Sequence, residues 1–194
     1  HLSRLLTALL VLRTLALRRL RPALALLLRS PVLLATVLAL LLLAYPMRSW
    51  RDAPVFPTPK GALNALPQHV PLPEGARILD AGCGMGDGLQ ALRQAYPSGQ
   101  FSGTEWSWVW WAVCALRCPW ARVRRGDMWA DDWSQYDLVY LFQRPESMPQ
   151  AIDKARRELK PGAWLVSLEF EVQGQPHQAR LMAPDGRPVW IYRV

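Results

Sequence analysis

The chain has 194 residues, of which 51% are hydrophobic and 20% are charged, and this composition excludes a disordered tail and a small disulfide-rich scaffold. No stretch repeats at a fixed period, which excludes solenoid and propeller architectures. The net charge of +8 comes entirely from residues 1–60, which carry nine basic side chains and one acidic one, whereas residues 61–194 carry 14 of each. Nucleic acid is not the expected partner, because an enzyme that acts on it usually has a basic catalytic body.

The cysteines and histidines form no recognisable metal or disulfide pattern. Cys83, Cys114 and Cys118 are an odd number without a CxxC pair, and the three histidines are far apart in the sequence. We therefore predict free thiols in a reducing compartment and no metal site.

Residues 1–47 combine leucine with arginine and then become uncharged. Residues 30–47 hold no charged side chain over 18 positions, and as a helix they would extend about 27 Å, close to the thickness of a hydrocarbon core. Residues 3–29 place four arginines on one helical face. We predict an amphipathic helix in the membrane interface followed by a transmembrane helix, with membrane lipids as partners. The run ends without a small-residue cleavage site, so it is not a removable signal peptide.

Residues 48–75 are rich in proline, and we expect an extended linker or a cap there. Residues 76–194 then alternate between strand and helix patterns, which favours an α/β fold with a parallel sheet. In chain order the predicted elements are strand 77–79, helix 88–96, strand 100–105, helix 107–117, strands 121–125 and 136–142, helix 148–159, strand 163–171 and an antiparallel hairpin of 178–182 with 189–194.

A glycine-rich turn joins the first predicted strand to the first helix, in the sequence Asp80-Ala81-Gly82-Cys83-Gly84-Met85-Gly86. Gly82 and Gly84 permit positive φ and a close approach of ligand to backbone, and the helix N-terminus offers free N–H groups. By themselves the glycines are equally compatible with a plain tight turn.

Two carboxylates at later strand ends favour a ligand site. Glu105 ends the second strand, 23 residues after Gly82, where a carboxylate can accept hydrogen bonds from both hydroxyls of a ribose. Asp127, followed by Met128, ends the third strand, where it can accept a hydrogen bond from an adenine amino group. The three features therefore converge on one crevice at the carboxyl edge of the sheet.

On these residues, 76–194 resemble the class I S-adenosylmethionine-dependent methyltransferases. The motifs are ILDAGCGMGDG, Glu105 and Gly126-Asp127-Met128, whereas a NAD-binding protein would space its glycines as GxGxxG. The resemblance implies S-adenosylmethionine as cofactor and a Rossmann-like sheet of seven strands in the order 3-2-1-4-5-7-6. It also implies that these residues bind the cofactor: Asp80, Gly82, Cys83, Gly84, Gly86, Glu105, Asp127 and Met128.

A narrower resemblance is to the small membrane-anchored protein-lysine methyltransferases, whose mitochondrial members modify the ATP synthase c subunit. It rests on Val55-Phe56-Pro57-Thr58-Pro59, the hydrophobic N-terminal segment, Asp127-Met128-Trp129 and Tyr136-Asp137-Leu138-Val139. The chain departs from those relatives in its glycine loop, where they usually have DxGSGDG. The resemblance implies a lysine of a membrane protein as methyl acceptor, with the ATP synthase c subunit as the first candidate.

Residues that line the substrate are expected after the fourth strand and in the proline-rich stretch. Phe142 and Gln143 follow that strand, although packing at the strand end is equally compatible with them. Thr58 belongs either to a lid over the cofactor or to a plain linker. No catalytic base is evident. The four tryptophans of residues 106–111 are expected to pack in the core and against the membrane rather than to form a stacking platform.

The sequence thus predicts a membrane anchor over 1–47, a linker or cap over 48–75 and a cofactor-binding methyltransferase domain over 76–194. The positive-inside rule would place that domain outside the cell, because more arginines precede the apolar run than follow it. The expected cofactor, S-adenosylmethionine, favours the cytoplasmic side instead. We therefore expect a membrane-associated protein whose catalytic domain faces the cytoplasm and whose apolar segment dips into the membrane or forms a hairpin within it, unless residues upstream of this sequence alter the charge balance. Two functions other than lysine methylation are also compatible with the sequence: methylation of a lipid or quinone headgroup, and cofactor binding without catalysis.

Overall fold

The computed structural model describes residues 30–44 and 57–194. The chain divides into two units, residues 1–45 and residues 46–194. The amphipathic helix predicted over residues 3–29 lies outside the described residues, as do residues 45–47 of the predicted apolar run.

The described part of the first unit is one helix, α1, over Pro31–Ala44. It begins after Ser30, whose hydroxyl accepts a hydrogen bond from the Leu33 N–H at 3.3 Å. The predicted transmembrane helix over residues 30–47 is not found, because the helix that is described has 14 residues, which extend about 21 Å. No helix within residues 30–44 and 57–194 combines the length and the apolar character that crossing a bilayer requires.

The second unit is built on a seven-stranded sheet in the order β3-β2-β1-β4-β5-β7-β6, which confirms the predicted topology. β1 to β5 run parallel, and β7 pairs antiparallel with both β5 and β6. The strands are β1 Arg77–Ala81, β2 Gln100–Glu105, β3 Arg122–Arg125, β4 Leu138–Leu141, β5 Trp164–Leu168, β6 Ala179–Met182 and β7 Pro188–Arg193.

Three helices connect the parallel strands: α2 over Asp87–Ala95, α3 over Trp108–Arg117 and α4 over Met148–Glu158. Single 3₁₀ turns occur at Leu66–Gln68 and Pro145–Ser147. Ser107 caps α3, since its side chain accepts a hydrogen bond from the Trp110 N–H.

The sheet buries apolar side chains on both faces. Ile78 of β1 belongs to the core cluster that also holds Leu89 of α2 and Cys114 of α3, whereas the next residue, Leu79, belongs to the cluster with Ile152 of α4. Residues 57–75 add fully buried side chains to the first cluster, including Leu63, Leu66 and Val70. This stretch therefore packs as a cap, and the Tyr96 hydroxyl donates to the Val70 carbonyl at 2.8 Å.

Two predicted strands are shorter in the structure. The strand predicted over 163–171 ends at Leu168, because Glu169 has a φ of +71°, which no strand residue adopts. The strand predicted over 136–142 begins only at Leu138, because the Tyr136 N–H is used in a turn with the Trp133 carbonyl.

Candidate active site

The carboxyl ends of β1, β2, β3 and β4 lie side by side at one edge of the sheet, because these strands are parallel and adjacent. The loops that follow them begin at Gly82, Trp106, Gly126 and Phe142. In open α/β sheets this edge, where the strand order reverses between β1 and β4, is where ligands bind.

The loop after β1 depends on its glycines. Gly82, Gly84 and Gly86 have φ values of +82°, +51° and +91°, in the left-handed region that side chains disfavour. The N–H groups of Gly82 and Cys83 both donate to the Thr104 carbonyl, at 2.9 and 3.0 Å, which ties the loop to β2. The loop is thereby fixed at the carboxyl edge, between β1 and β2.

Gly82 is also where three loops meet. A Cβ at Gly82 would collide with the amide nitrogen of Gln143 and would lie 3.3 Å from the sulfur of Met128. The structure therefore brings Gln143, Met128 and the glycine loop together. A side chain at position 82 would have to displace the Gln143 amide.

Glu105 is half-buried at the end of β2 and faces the glycine loop. One carboxylate oxygen accepts from the Gly84 N–H at 3.0 Å, and the other accepts from the Ser107 N–H at 2.7 Å. Burial raises the pKa of Glu105, and the hydrogen bonds from the Ser107, Gly84 and Trp106 N–H groups oppose that rise. A carboxylate has about four lone-pair sites, so it can still accept a hydrogen bond from a ribose hydroxyl.

Asp127 and Met128 follow β3. One Asp127 carboxylate oxygen accepts from the Trp129 N–H at 2.9 Å, and this turn leaves the exposed side chain with a second oxygen for a ligand. Met128 is buried. The Gly126 N–H donates to the Glu105 backbone carbonyl at 3.0 Å, which fixes the spacing of this loop from the end of β2.

Asp80 is placed beneath the loop rather than in the open crevice. Its carboxyl group is 3% exposed, it accepts a hydrogen bond from the Leu89 N–H in the first turn of α2, and its oxygen Oδ2 has no hydrogen-bond partner. Burial raises the pKa of Asp80, and nearby Cys118 and Glu105 raise it further. The residue links the glycine loop to the N-terminus of α2.

A hydrogen bond joins the proline-rich segment to the sheet. The hydroxyl groups of Thr58 and Tyr140 are 2.8 Å apart. Tyr140 is buried on β4 beside Asp80 of β1, and burial raises its pKa. The segment around Thr58 therefore lies at the carboxyl half of the sheet, where a lid over a cofactor would be placed.

Phe142 lies at the outer side of this edge. Its ring packs near Phe170, with 6.3 Å between centroids, and the Arg187 guanidinium lies 5.4 Å from its ring centroid. Arg187 is paired with Asp185 at 2.6 Å and with Glu169 at 3.7 Å. The positive charge next to Phe142 is thus neutralised by two carboxylates.

The side chain of Cys83 points away from the crevice. Its sulfur lies 3.6 Å from that of Cys114 on α3, and the three buried cysteines are free thiols. Burial and neighbouring groups raise the pKa of Cys114 and Cys118 as well. Cys83 can therefore contribute to a ligand site only through its backbone.

Sequence reasoning missed Tyr140, Ser107 and Arg187. Tyr140 was hidden inside a run of apolar residues, although it is the polar member of the YLF segment that ends β4. Ser107 could have been found as a serine directly ahead of a helix. Arg187 reaches the site from the β6–β7 turn, and no local pattern indicates that.

Comparisons with known proteins agree with this architecture. The family described as ANTKMT methyltransferase domain matches residues 80–179, just over half of the chain. These residues include the glycine loop, Glu105, Asp127 and Gln143.

A curated relative is trans-aconitate 2-methyltransferase of Variovorax paradoxus (strain S110), which is 30% identical over 127 residues. The alignment covers 63% of this chain and 49% of the relative, so the chain spans about half the length of the curated relative that it matches.

Among solved structures, an RNA methyltransferase from Salinibacter ruber, in complex with S-adenosyl-L-homocysteine, superposes with a TM-score of 0.63 at 20% sequence identity. The match covers 72% of this chain and 94% of that chain. At this identity the similarity shows that the two chains share a fold.

Proposed function

The chain belongs to the family of ANTKMT methyltransferase domains, and from this membership we propose that it methylates a lysine of a membrane protein. It is a class I methyltransferase with S-adenosylmethionine as cofactor. The observation that supports the choice of an amine as acceptor is the Thr58–Tyr140 hydroxyl pair at the carboxyl edge. Arg187, the cation near Phe142, is neutralised by Asp185 and Glu169 and therefore does not oppose a basic substrate.

The residues at the edge fit the cofactor. We assign its methionine part to the loop from Gly82 to Gly86, its ribose to the Glu105 carboxylate, and its adenine to Asp127 and Met128. The fit rests on the glycine cradle that a Cβ at position 82 would fill, and on the unused lone pairs of Glu105. When bound, S-adenosylmethionine would supply a methyl group on a positively charged sulfur: an unprotonated amine would form the new C–N bond as the C–S bond breaks, S-adenosylhomocysteine would leave, and the methylated amine would release a proton to water.

The protein contributes to this reaction by aligning the amine with the methyl group and by excluding water from the site. Thr58, held by Tyr140, lies at the edge on the side of the cap, and Phe142 packs against the same core cluster as the cap. Gln143 lies beside Gly82 of the glycine loop. A lysine close to a bilayer is partly desolvated, which lowers its pKa from about 10.4 and increases the fraction that is neutral. The site therefore requires no strong base of its own.

Membrane attachment is the second part of the proposal. Helix α1 has no charged residue, and Val32 and Leu38 on it are exposed, as expected of a helix surrounded by lipid. Residues 1–60 also carry the whole net positive charge, which anionic headgroups attract. Confining enzyme and target to one membrane raises their effective concentration, and we propose that the catalytic domain faces the cytoplasm.

The curated relative named trans-aconitate 2-methyltransferase supplies a competing acceptor, a small carboxylic acid. Such a substrate carries several negative charges, and the carboxylates of Glu105 and Asp127 at the same edge disfavour it. A lipid or quinone headgroup is the other possible methyl acceptor, because attachment to the membrane would bring the enzyme close to such a substrate as well.

One experiment separates these acceptors. The purified full-length protein is incubated with methyl-labelled S-adenosylmethionine and native membranes, and in parallel with trans-aconitate. We expect the label in membrane protein, as methyl-lysine after hydrolysis, and no label when Glu105→Ala is used. Label in extracted lipid or in trans-aconitate would overturn the proposal in favour of that acceptor, and cofactor binding without transfer to any acceptor would indicate a non-catalytic module.

A further inference from the structure

Helix α3 exposes apolar side chains where a surface helix normally carries polar ones. Nine of its ten residues in the sequence WVWWAVCALR are apolar, yet only Cys114 is fully buried. Trp108, Val109, Ala112 and Leu116 recur at helical spacing on the side opposite Cys114. Trp108 is 58% exposed and Leu116 is 83% exposed. The outward face of the helix is therefore apolar.

This exposure is concentrated at α3. Four large hydrophobic side chains of residues 57–194 are exposed, and three of them, Trp106, Trp108 and Leu116, lie on α3 or directly before it. By contrast, the exposed positions of α4 include Gln150, Asp153, Arg156 and Arg157, the polar residues expected on an outward face. An exposed apolar cluster of this kind marks an interaction surface.

Arginines flank the apolar face on the neighbouring edge strand. β3 has the sequence RVRR and lies at the end of the sheet, next to α3. Arg125 places its guanidinium 4.2 Å from the Trp108 ring centroid, and Arg122 is exposed. The ion pair of this strand, among the described residues, is that of Arg124 with Asp131, so Arg122 and Arg125 keep their charge available for a partner.

We propose that this docking face, made of Trp106, Trp108, Leu116, Arg122 and Arg125, lies on the headgroup region of an anionic bilayer. Indole rings prefer the boundary between hydrocarbon and water, and guanidinium groups bind lipid phosphates. We assign an anionic bilayer as the partner for two reasons. Its charge is complementary to that of the arginines, and a patch that combines exposed apolar with cationic side chains suits the interface between lipid and water. The proposal rests on the membrane attachment proposed above and adds a second contact, made by the catalytic domain itself.

The location of the docking face gives it a consequence for catalysis. Trp106 directly follows Glu105, the residue assigned to the cofactor ribose, so the face begins at the carboxyl edge of the sheet. The face runs along the β3 side of the domain, from Trp106 at the carboxyl edge to Leu116 and Arg122 at the other end. Contact through it holds the domain in one orientation, with its β3 side on the membrane and its Trp106 end next to the site.

The test uses two single-cysteine labels on the full-length protein. Leu116→Cys reports from the docking face, and Met182→Cys, at a residue 58% exposed on β6 at the opposite edge of the sheet, is the matched control. The three described native thiols are buried, so an environment-sensitive maleimide dye labels the introduced cysteine. Each protein is mixed with vesicles of equal parts phosphatidylcholine and phosphatidylglycerol that contain a lipid-borne spin-label quencher.

We expect severalfold stronger quenching at position 116 than at 182, and a reduction when Arg122→Glu and Arg125→Glu are added to Leu116→Cys. Cosedimentation with the vesicles and equal, weak quenching at both positions would overturn the docking face while leaving the membrane attachment intact. No cosedimentation would overturn both. If the emission of the dye at position 116 shifts to the blue with rising protein concentration in the absence of vesicles, a second copy of the chain covers the face and the proposal is wrong. If quenching at position 116 is as strong with vesicles of pure phosphatidylcholine as with the anionic vesicles, the role of the arginines is contradicted.

Discussion

The hydroxyl groups of Thr58 and Tyr140 lie 2.8 Å apart and join the segment that precedes the sheet to its central strand β4. The contact spans 82 positions in the sequence, and its tyrosine is buried whereas its threonine is half-buried. Removing the Thr58 hydroxyl therefore leaves a buried tyrosine hydroxyl without this partner, whereas removing the Tyr140 hydroxyl leaves a threonine hydroxyl that is half-buried.

Replacing Thr58 by valine should destabilise the protein more than replacing Tyr140 by phenylalanine. Thr58→Val leaves a buried hydroxyl without a partner, which costs about 1–3 kcal/mol, whereas Tyr140→Phe removes that hydroxyl and leaves a threonine that water can reach. In the double variant the cost of Thr58→Val should largely disappear. Urea unfolding of the four proteins measures this, and additive losses would contradict the assigned hydrogen bond.

Glu105→Gln should weaken cofactor binding. The carboxylate accepts from Gly84 and Ser107 and has lone pairs left for ribose hydroxyls, so its replacement should raise the Kd about tenfold to hundredfold, or about 1–3 kcal/mol. Calorimetry with S-adenosylhomocysteine measures the effect. Glu146→Gln, at an exposed residue of the turn after β4, is the control and should bind as the wild type does.

Gly82→Ala should weaken cofactor binding while the protein still folds. Position 82 has a φ of +82°, and the new methyl group would push aside the Gln143 amide that lies beside the glycine loop. Gly174→Ala is the matched control, because Gly174 has a φ of +73° but no atom within 4 Å of an added Cβ. Equal losses of binding in the two variants would show that backbone strain, rather than the crowded position of Gly82, is responsible.

Local patterns predicted most of the strands and helices, whereas the strand order was implied by the resemblance to class I methyltransferases. Alternation of strand and helix signals, with the glycine turn after β1, predicts the parallel part, and the hairpin of β6 and β7 follows from its turn at Pro184-Asp185-Gly186. The end of β5 was predicted too late, because the positive φ of Glu169 cannot be inferred from its residue type, and the start of β4 was predicted too early, because Tyr136 belongs to a turn.

The site was predictable only where it depends on spacing along the chain. Glu105 and Asp127 fall at strand ends, so their positions follow from the strand pattern. The orientation of Cys83 into the core toward Cys114, and the partnership of Thr58 with Tyr140, depend on packing between distant segments. The capping contact of Asp80 with α2 is likewise tertiary, because the carboxyl group is enclosed by the helix that follows its own strand.

Asp80→Asn should change how stability depends on pH. Burial holds the pKa of Asp80 above its ordinary value of 3.8, so the folded state binds a proton that the unfolded state releases. The contribution of Asp80 to the free energy of unfolding is complete below pH 3.8, and it declines as the pH rises toward the pKa of Asp80 in the folded state. The variant lacks this decline while retaining an acceptor for the Leu89 N–H. The melting temperature of the variant relative to the wild type should therefore rise as pH increases from about 4 to 7; a constant difference would contradict an elevated pKa.

Methyl transfer to a lysine of a membrane protein can be measured by mass spectrometry of membrane proteins from cells with and without the gene. We expect methyl-lysine on a small integral membrane protein to disappear without the gene, to return with the wild-type chain and not to return with Glu105→Ala. The ATP synthase c subunit is the first protein to inspect. Unchanged lysine methylation together with an altered methyl content of lipids or quinones would contradict lysine as the methyl acceptor.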